Sequence, residues 1–174
     1  MRNILILIFI QILHIQNAYA QEKPALGRVV SVEELSALEN TVLPNGEGLP
    51  AGSGNATDGK VLYQSNCLAC HGAGGKGGTN NQLVGGHGTL TSKHPVKTVG
   101  SYWPFATTLY DYIHRAMPYP SPGSLTDDEV YAVTAYILFM NDIIEKDLVL
   151  NAKNLPEIKM PNHDNIILGY KPPY

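Results

Sequence analysis

The sequence predicts an all-α domain, and three observations carry that prediction. Two capping boxes, Ser31-Val32-Glu33-Glu34 and Thr126-Asp127-Asp128-Glu129, each precede apolar residues at helical spacing. A run from Ala106 to Met117 places Leu109, Tyr112, Ile113 and Ala116 three and four apart, and Pro118, Pro120 and Pro122 stop it. The pentapeptide Cys67-Leu68-Ala69-Cys70-His71 closes a further helix and leads into a glycine-rich stretch that suits no regular element.

Residues 1–20 read as a secretory signal. Arg2 supplies a positive start, Ile4 to Ile15 are almost all aliphatic, and Ala18-Tyr19-Ala20 fits a small-x-small cleavage site. Gln11 and His14 interrupt the apolar run, which is shorter than the roughly twenty residues a membrane span needs; an uncleaved anchor is the alternative. Residues 21–54 form an N-terminal arm. In it, a short helix near 32–40 ends before Pro44, and the Gly/Pro-dense segment from Pro44 to Gly54 is an extended connector.

Residues 55–142 form the main domain. Asn55 or Thr57 caps a helix running to about Leu68, with Val61, Leu62 and Tyr63 facing inward. Gly72 to Gly88 holds eight of the chain's seventeen glycines, and a loop of this length is expected to wrap a bound group. The Thr126 box opens the last helix, which carries Val130, Val133, Ile137 and Leu138 to about Asn141. Residues 143–174 form an irregular tail, interrupted by Pro156, Pro161, Pro172 and Pro173 and expected to lie across the domain surface.

A chain of 174 residues with 44% apolar content suits one domain with a modest core. Both cysteines lie inside the pentapeptide, so none remains for a structural disulfide. A covalently held apolar group would supply the missing staple. Without Arg2 the chain has 11 basic and 15 acidic residues, a net −4 that excludes nucleic-acid binding by charge. From Gly59 to Pro118 the sign reverses: Lys60, Lys76, Lys93, Lys97 and Arg115 face only Asp111, a net +4.

C-x-x-C-H is the attachment signature of c-type haem, because two thiols three positions apart reach two vinyl groups while the next histidine reaches the iron. Cys67 and Cys70 are the expected thioether anchors and His71 the proximal ligand. A thioredoxin-like pair would need a preceding strand in a βαβ pattern, and a zinc site two further close ligands; neither is visible. His71 is expected to donate its other ring N–H to a carbonyl between Leu83 and Gly86.

Met117, at a helix end before Pro118, is the expected sixth ligand. Met140 lies within a helix and reads as core packing; Met160, before Pro161, repeats the local pattern in the tail. His87, His94 and His114 offer a bis-histidine alternative of lower potential. Trp103, Tyr102 and Ser101 are placed to donate hydrogen bonds to a haem propionate, or the aromatics simply pack. A six-coordinate iron favours electron transfer, whereas an open or labile sixth position would make a haem enzyme such as a peroxidase or sulfur-compound oxidase.

The order of helix, haem motif, glycine-rich loop, Met-Pro turn and terminal helix resembles the class I cytochrome c fold over about residues 55–142. Longer stretches, "PNGEGLPAGSG", "GGHGTL", "TVGSYWPFATTLYDYIHRAMPYPSPGSLTDDEVYAVTAYIL" and "LNAKNLPEIKMPN", resemble the cytochrome subunits of molybdenum-containing sulfite or sulfur dehydrogenases, the SoxD and SorB type. That resemblance implies one haem c held by Cys67, Cys70, His71 and the Met of Ala-Met-Pro, Met117. It also implies a periplasmic electron carrier, reduced by a molybdopterin subunit and oxidised by another cytochrome or a terminal oxidase. A different periplasmic dehydrogenase is the alternative donor.

Overall fold

Residues 27–38 and 41–167 are described in the computed structural model, and the segment 1–20 read as a signal peptide lies outside them. The chain divides into a unit up to Glu39 and a second from Asn40 onward. In the first, α1 (Val32–Leu38) carries its capping box as expected. Ser31 Oγ accepts from the Glu34 N–H (3.2 Å) and Glu34 Oε2 accepts from the Ser31 N–H (3.0 Å). Arg28 Nη1 donates to the same carboxylate at 2.6 Å, and this pairing holds Glu34 below the usual carboxylate range.

The second unit is built on two helices in close contact. Asn55 starts α2 (Ala56–Asn66), its Oδ1 accepting from the N–H groups of Thr57 (2.8 Å) and Asp58 (3.1 Å). Thr126 and Glu129 start α3 (Asp127–Met140) through a reciprocal capping box. Val130, Tyr131, Ala132, Val133, Thr134, Ala135, Ile137 and Leu138 of α3 are all buried, so it forms the centre of the core. The buried face of α2 is Ala56, Gly59 and Tyr63; Val61, expected inward, is 66% exposed and Leu62 is half-buried. Small residues decide this face because the backbones almost touch. A Cβ on Gly59 would lie 1.9 Å from Ala132 O. Tyr63 then packs edge-on against Tyr136, with ring centroids 5.4 Å apart.

The third long helix, α4 (Ala106–Ala116), follows the predicted stripe with Leu109 and Ile113 buried, whereas Tyr112 is half-exposed. Residues 41–54 are tied to it and to α3. The Val42 N–H donates to Asp111 Oδ1 (2.9 Å), Thr107 Oγ1 to Pro44 O (3.1 Å) and Tyr131 Oη to Pro50 O (3.0 Å). Burial would push the Asp111 carboxyl up, but the bonds from Arg115 and Val42 outweigh it and hold it below its ordinary value.

Segment 143–167 does more than cross the surface. Strand β1 (Ser53–Gly54) pairs antiparallel with β2 (Leu150–Asn151), Ser53 opposite Asn151. Leu150, Leu155 and Met160 are fully buried, and Asn162 Nδ2 donates to Tyr102 O (2.6 Å). Three scattered apolar side chains thus complete the core without secondary-structure periodicity. No helix among the described residues is long and apolar enough to cross a membrane.

The core tyrosines predict an alkaline limit. Burial above all pushes the Tyr63 hydroxyl up to about 12; burial and then Asp127 do the same to Tyr131. In the unfolded chain both titrate near 10. The folded state therefore holds these protons more tightly, a contribution complete below about pH 10 and lost as the pH rises through about 12. Urea titrations followed by circular dichroism should show stability falling across that window, less steeply in Tyr63→Phe.

Candidate functional site

Cys67 breaks the helical path after α2, and Leu68–His71 form one further helical turn. Gly72 ends it with φ +78°, a left-handed conformation that favours glycine, and a Cβ there would meet Lys76 O at 2.0 Å. The Tyr63 hydroxyl crosses beneath this turn and donates to Gly72 O (3.0 Å). The pentapeptide is thus held from both ends.

It forms one side of a cavity of about 580 Å³, within the span of roughly 300–1,000 Å³ typical of cofactor sites. Cys67, Cys70 and His71 line it together with Met117, Pro118 and Leu125; Leu109, Ile113, Val133 and Ile137 supply apolar wall from α4 and α3. Thr79 to Leu83 of the glycine-rich loop, and then Lys97, Thr98 and Trp103, complete it. Among the described residues no Asp or Glu lines the cavity.

His71 Nδ1 lies 2.8 Å from Asn81 O. A carbonyl can only accept, so Nδ1 carries the proton and Nε2 keeps its lone pair for a metal. The expected carbonyl, between Leu83 and Gly86, is therefore corrected to Asn81. Leu83 O and Gly85 O are occupied elsewhere, accepting from the Val99 N–H (3.2 Å) and from Thr98 Oγ1 respectively. Burial, with Cys70 adding, pushes the Cys67 thiol up to about 11. That is opposite to the depressed thiol of a redox pair.

Met117 is the C-cap of α4, in extended backbone (φ −127°, ψ 146°). This geometry frees its side chain from the helix, and the residue borders the cavity. Met160 is 1% exposed in the core and Met140 packs against the core; neither borders the cavity. Nor do the three alternative histidines. His87 and His94 are exposed, and His114 stacks on Tyr110 with Nε2 3.6 Å from Asp127 Oδ1.

Of the three residues expected near a propionate, only Trp103 lines the cavity, and it packs edge-on against Tyr112 at 5.6 Å. Ser101 Oγ instead donates to Val96 O (2.6 Å), and the Tyr102 ring lies under Lys97 Nζ at 5.1 Å. Lys97, Thr98 and Tyr112 are among the polar lining residues that sequence reasoning missed. Lys97 and Thr98 sit in a loop without periodicity, so only folding brings them to the cavity.

The donor set fits haem c: two thiols on one turn, an oriented imidazole with a free nitrogen, a thioether, and an apolar wall of macrocycle size. Comparisons with known proteins agree. The family model described as Cytochrome c matches residues 56–141. The chain is 33% identical over 106 residues to photosystem II extrinsic protein V of Microcystis aeruginosa, covering 53% of this chain and 78% of that protein. It is also similar to a solved chain of the sulfane dehydrogenase SoxCD from Paracoccus pantotrophus, with a TM-score of 0.76 and 43% identity over 83% of this chain and 72% of that one.

Proposed function

Because the chain belongs to the cytochrome c family and so carries covalently bound haem c, we propose that it is a monohaem electron carrier of the periplasm. In this reading it accepts electrons from a molybdopterin sulfite or sulfur dehydrogenase subunit and passes them to another cytochrome or terminal oxidase. The observation that carries the carrier reading is the placement of His71 and Met117 on the same cavity, which supplies two protein ligands. The bound haem supplies a one-electron couple. Cys67 and Cys70 would anchor it, His71 and Met117 would ligate it, and Leu109, Ile113, Val133 and Ile137, which line the cavity, would keep water from it. Trp103 and Lys97 are the groups to hold a propionate. Two full ligands leave no position for a substrate, which separates a carrier from a haem enzyme.

The donor assignment rests on the 43% identity with the sulfane dehydrogenase chain and on the arm and tail stretches shared with such subunits. Export rests on Arg2, the apolar run and Ala18-Tyr19-Ala20. Isolation from the native host with its bound subunits is expected to give haem reduction dependent on sulfite or thiosulfate. No reduction with any copurified subunit removes the sulfur assignment. Lys97 at the cavity places positive charge near the cofactor, so the association rate with the reductant should fall as ionic strength rises. A rate indifferent to salt removes the steering role.

A further inference from the structure

The axial histidine is oriented by a loop carbonyl, and a loop carbonyl is only as well placed as the loop. Asn81 is exposed, and its segment has no helix or strand to brace it. Next to Leu83 and Gly85 the loop meets the buried side chain of Asn141, at the C-cap of α3 and 1% exposed. Asn141 Nδ2 donates to Leu83 O (3.1 Å) and to Ile137 O (2.9 Å), and its Oδ1 accepts from the Gly85 N–H (3.1 Å). The two carbonyls and one N–H fix which way the amide points, and both amide hydrogens are used.

We propose that Asn141 is a positioning residue for His71: it clamps Leu83 and Gly85 to the end of α3 and so holds Asn81 O at the imidazole. The inference rests on reading His71 as the proximal ligand. The path is short, because Leu83 lies two residues beyond Asn81. Its other anchors are the Asn80 N–H on Cys70 O (2.9 Å) and the Leu83 N–H on Gly75 O (2.8 Å), both within the loop's own neighbourhood. Val99 and Thr98 also bond Leu83 O and Gly85 O, but they stand on a second loop. Asn141 alone among these partners belongs to a core helix. Close packing leaves the clamp no slack, since a Cβ on Gly100 would fall 2.2 Å from Asn141 Oδ1. A firm Nδ1–H···O=C bond raises the basicity of the ligand and favours ferric iron, so loosening it shifts the midpoint potential upward.

The test uses the assembled holoprotein. Asn141→Ala removes the clamp, Asn141→Asp replaces its donor by an acceptor at equal size, and Gly100→Ala pushes on it from the other side. Leu155→Ala is the control for lost stability, being fully buried and not bordering the cavity. The expected result is a more positive midpoint potential and displaced His71 ring resonances in the ferric NMR spectrum of the Asn141 and Gly100 variants, with neither change in Leu155→Ala. If Asn141→Ala fails to assemble, the other two variants decide. Potentials and resonances no different from Leu155→Ala overturn the positioning role. A low-spin spectrum that survives His71→Gln overturns the ligand reading itself, which separates the two failures.

Discussion

Replacing Met117 by Ala should abolish the far-red thioether-to-iron absorption of the ferric protein and turn its spectrum high-spin, while Met160→Ala keeps the band. The two methionines precede prolines alike, so the comparison isolates position. Met117 borders the cavity from the C-cap of α4, whereas Met160 is 1% exposed in the core. A thioether favours the ferrous state. Its loss should lower the midpoint potential by on the order of 0.1–0.3 V, inside the roughly 0.8 V range that axial ligands command. Met160→Ala should cost about 2–5 kcal/mol of stability, the usual toll of emptying a buried methionine site. Absorption spectra, a redox titration and denaturant curves on the three proteins check this. A high-spin wild type, or a band lost with Met160 instead, would move the protein from carrier to haem enzyme or transfer the ligand to the tail.

A second structural effect is expected at Gly59, and there two terms of opposite sign compete. Glycine to alanine inside a helix ordinarily gains about 1 kcal/mol. Here the new methyl would stand 1.9 Å from the Ala132 carbonyl oxygen. Backbone cannot turn aside as a flexible side chain can, so α2 and α3 must separate. Overpacking of this kind costs about 1–3 kcal/mol and occasionally more, and the separation also loosens Tyr63 against Tyr136. Gly59→Ala should therefore lose up to about 2 kcal/mol net despite its better helix propensity. Urea midpoints read from haem absorbance and from far-ultraviolet dichroism decide it; a stabilised Gly59→Ala would show that the α2–α3 contact yields easily.

Where local chemistry specifies an element, the sequence was legible. Ser31 with Glu34 and Thr126 with Glu129 form their capping boxes, Asn55 caps α2, and α4 stops at Ala116 before the proline cluster. Val61 shows where such reading runs out. Val61, Leu62 and Tyr63 are consecutive and apolar, so hydrophobicity cannot choose the inner face; Ala56 and Gly59 choose it by being small. How deeply the tail enters the core was not readable, for a related reason. Leu150, Leu155 and Met160 show no regular period, and nothing local reveals that each is fully buried.

The site divides the same way. Thiols, imidazole and thioether are rare side chains, so the cofactor class and the candidates Cys67, Cys70, His71 and Met117 were readable as letters. Every residue carries a carbonyl, so a carbonyl leaves no mark in a sequence, and Asn81 as the partner of His71 emerged only from the folded loop. The sequence alone determined the helices, the covalent haem and the family, because caps, spacing and reactive side chains act over a few neighbouring residues. Tertiary structure alone decided which methionine borders the cavity, which carbonyl orients the histidine and which face of α2 turns inward, because those are contacts between distant segments whose geometry exists only once the chain has packed.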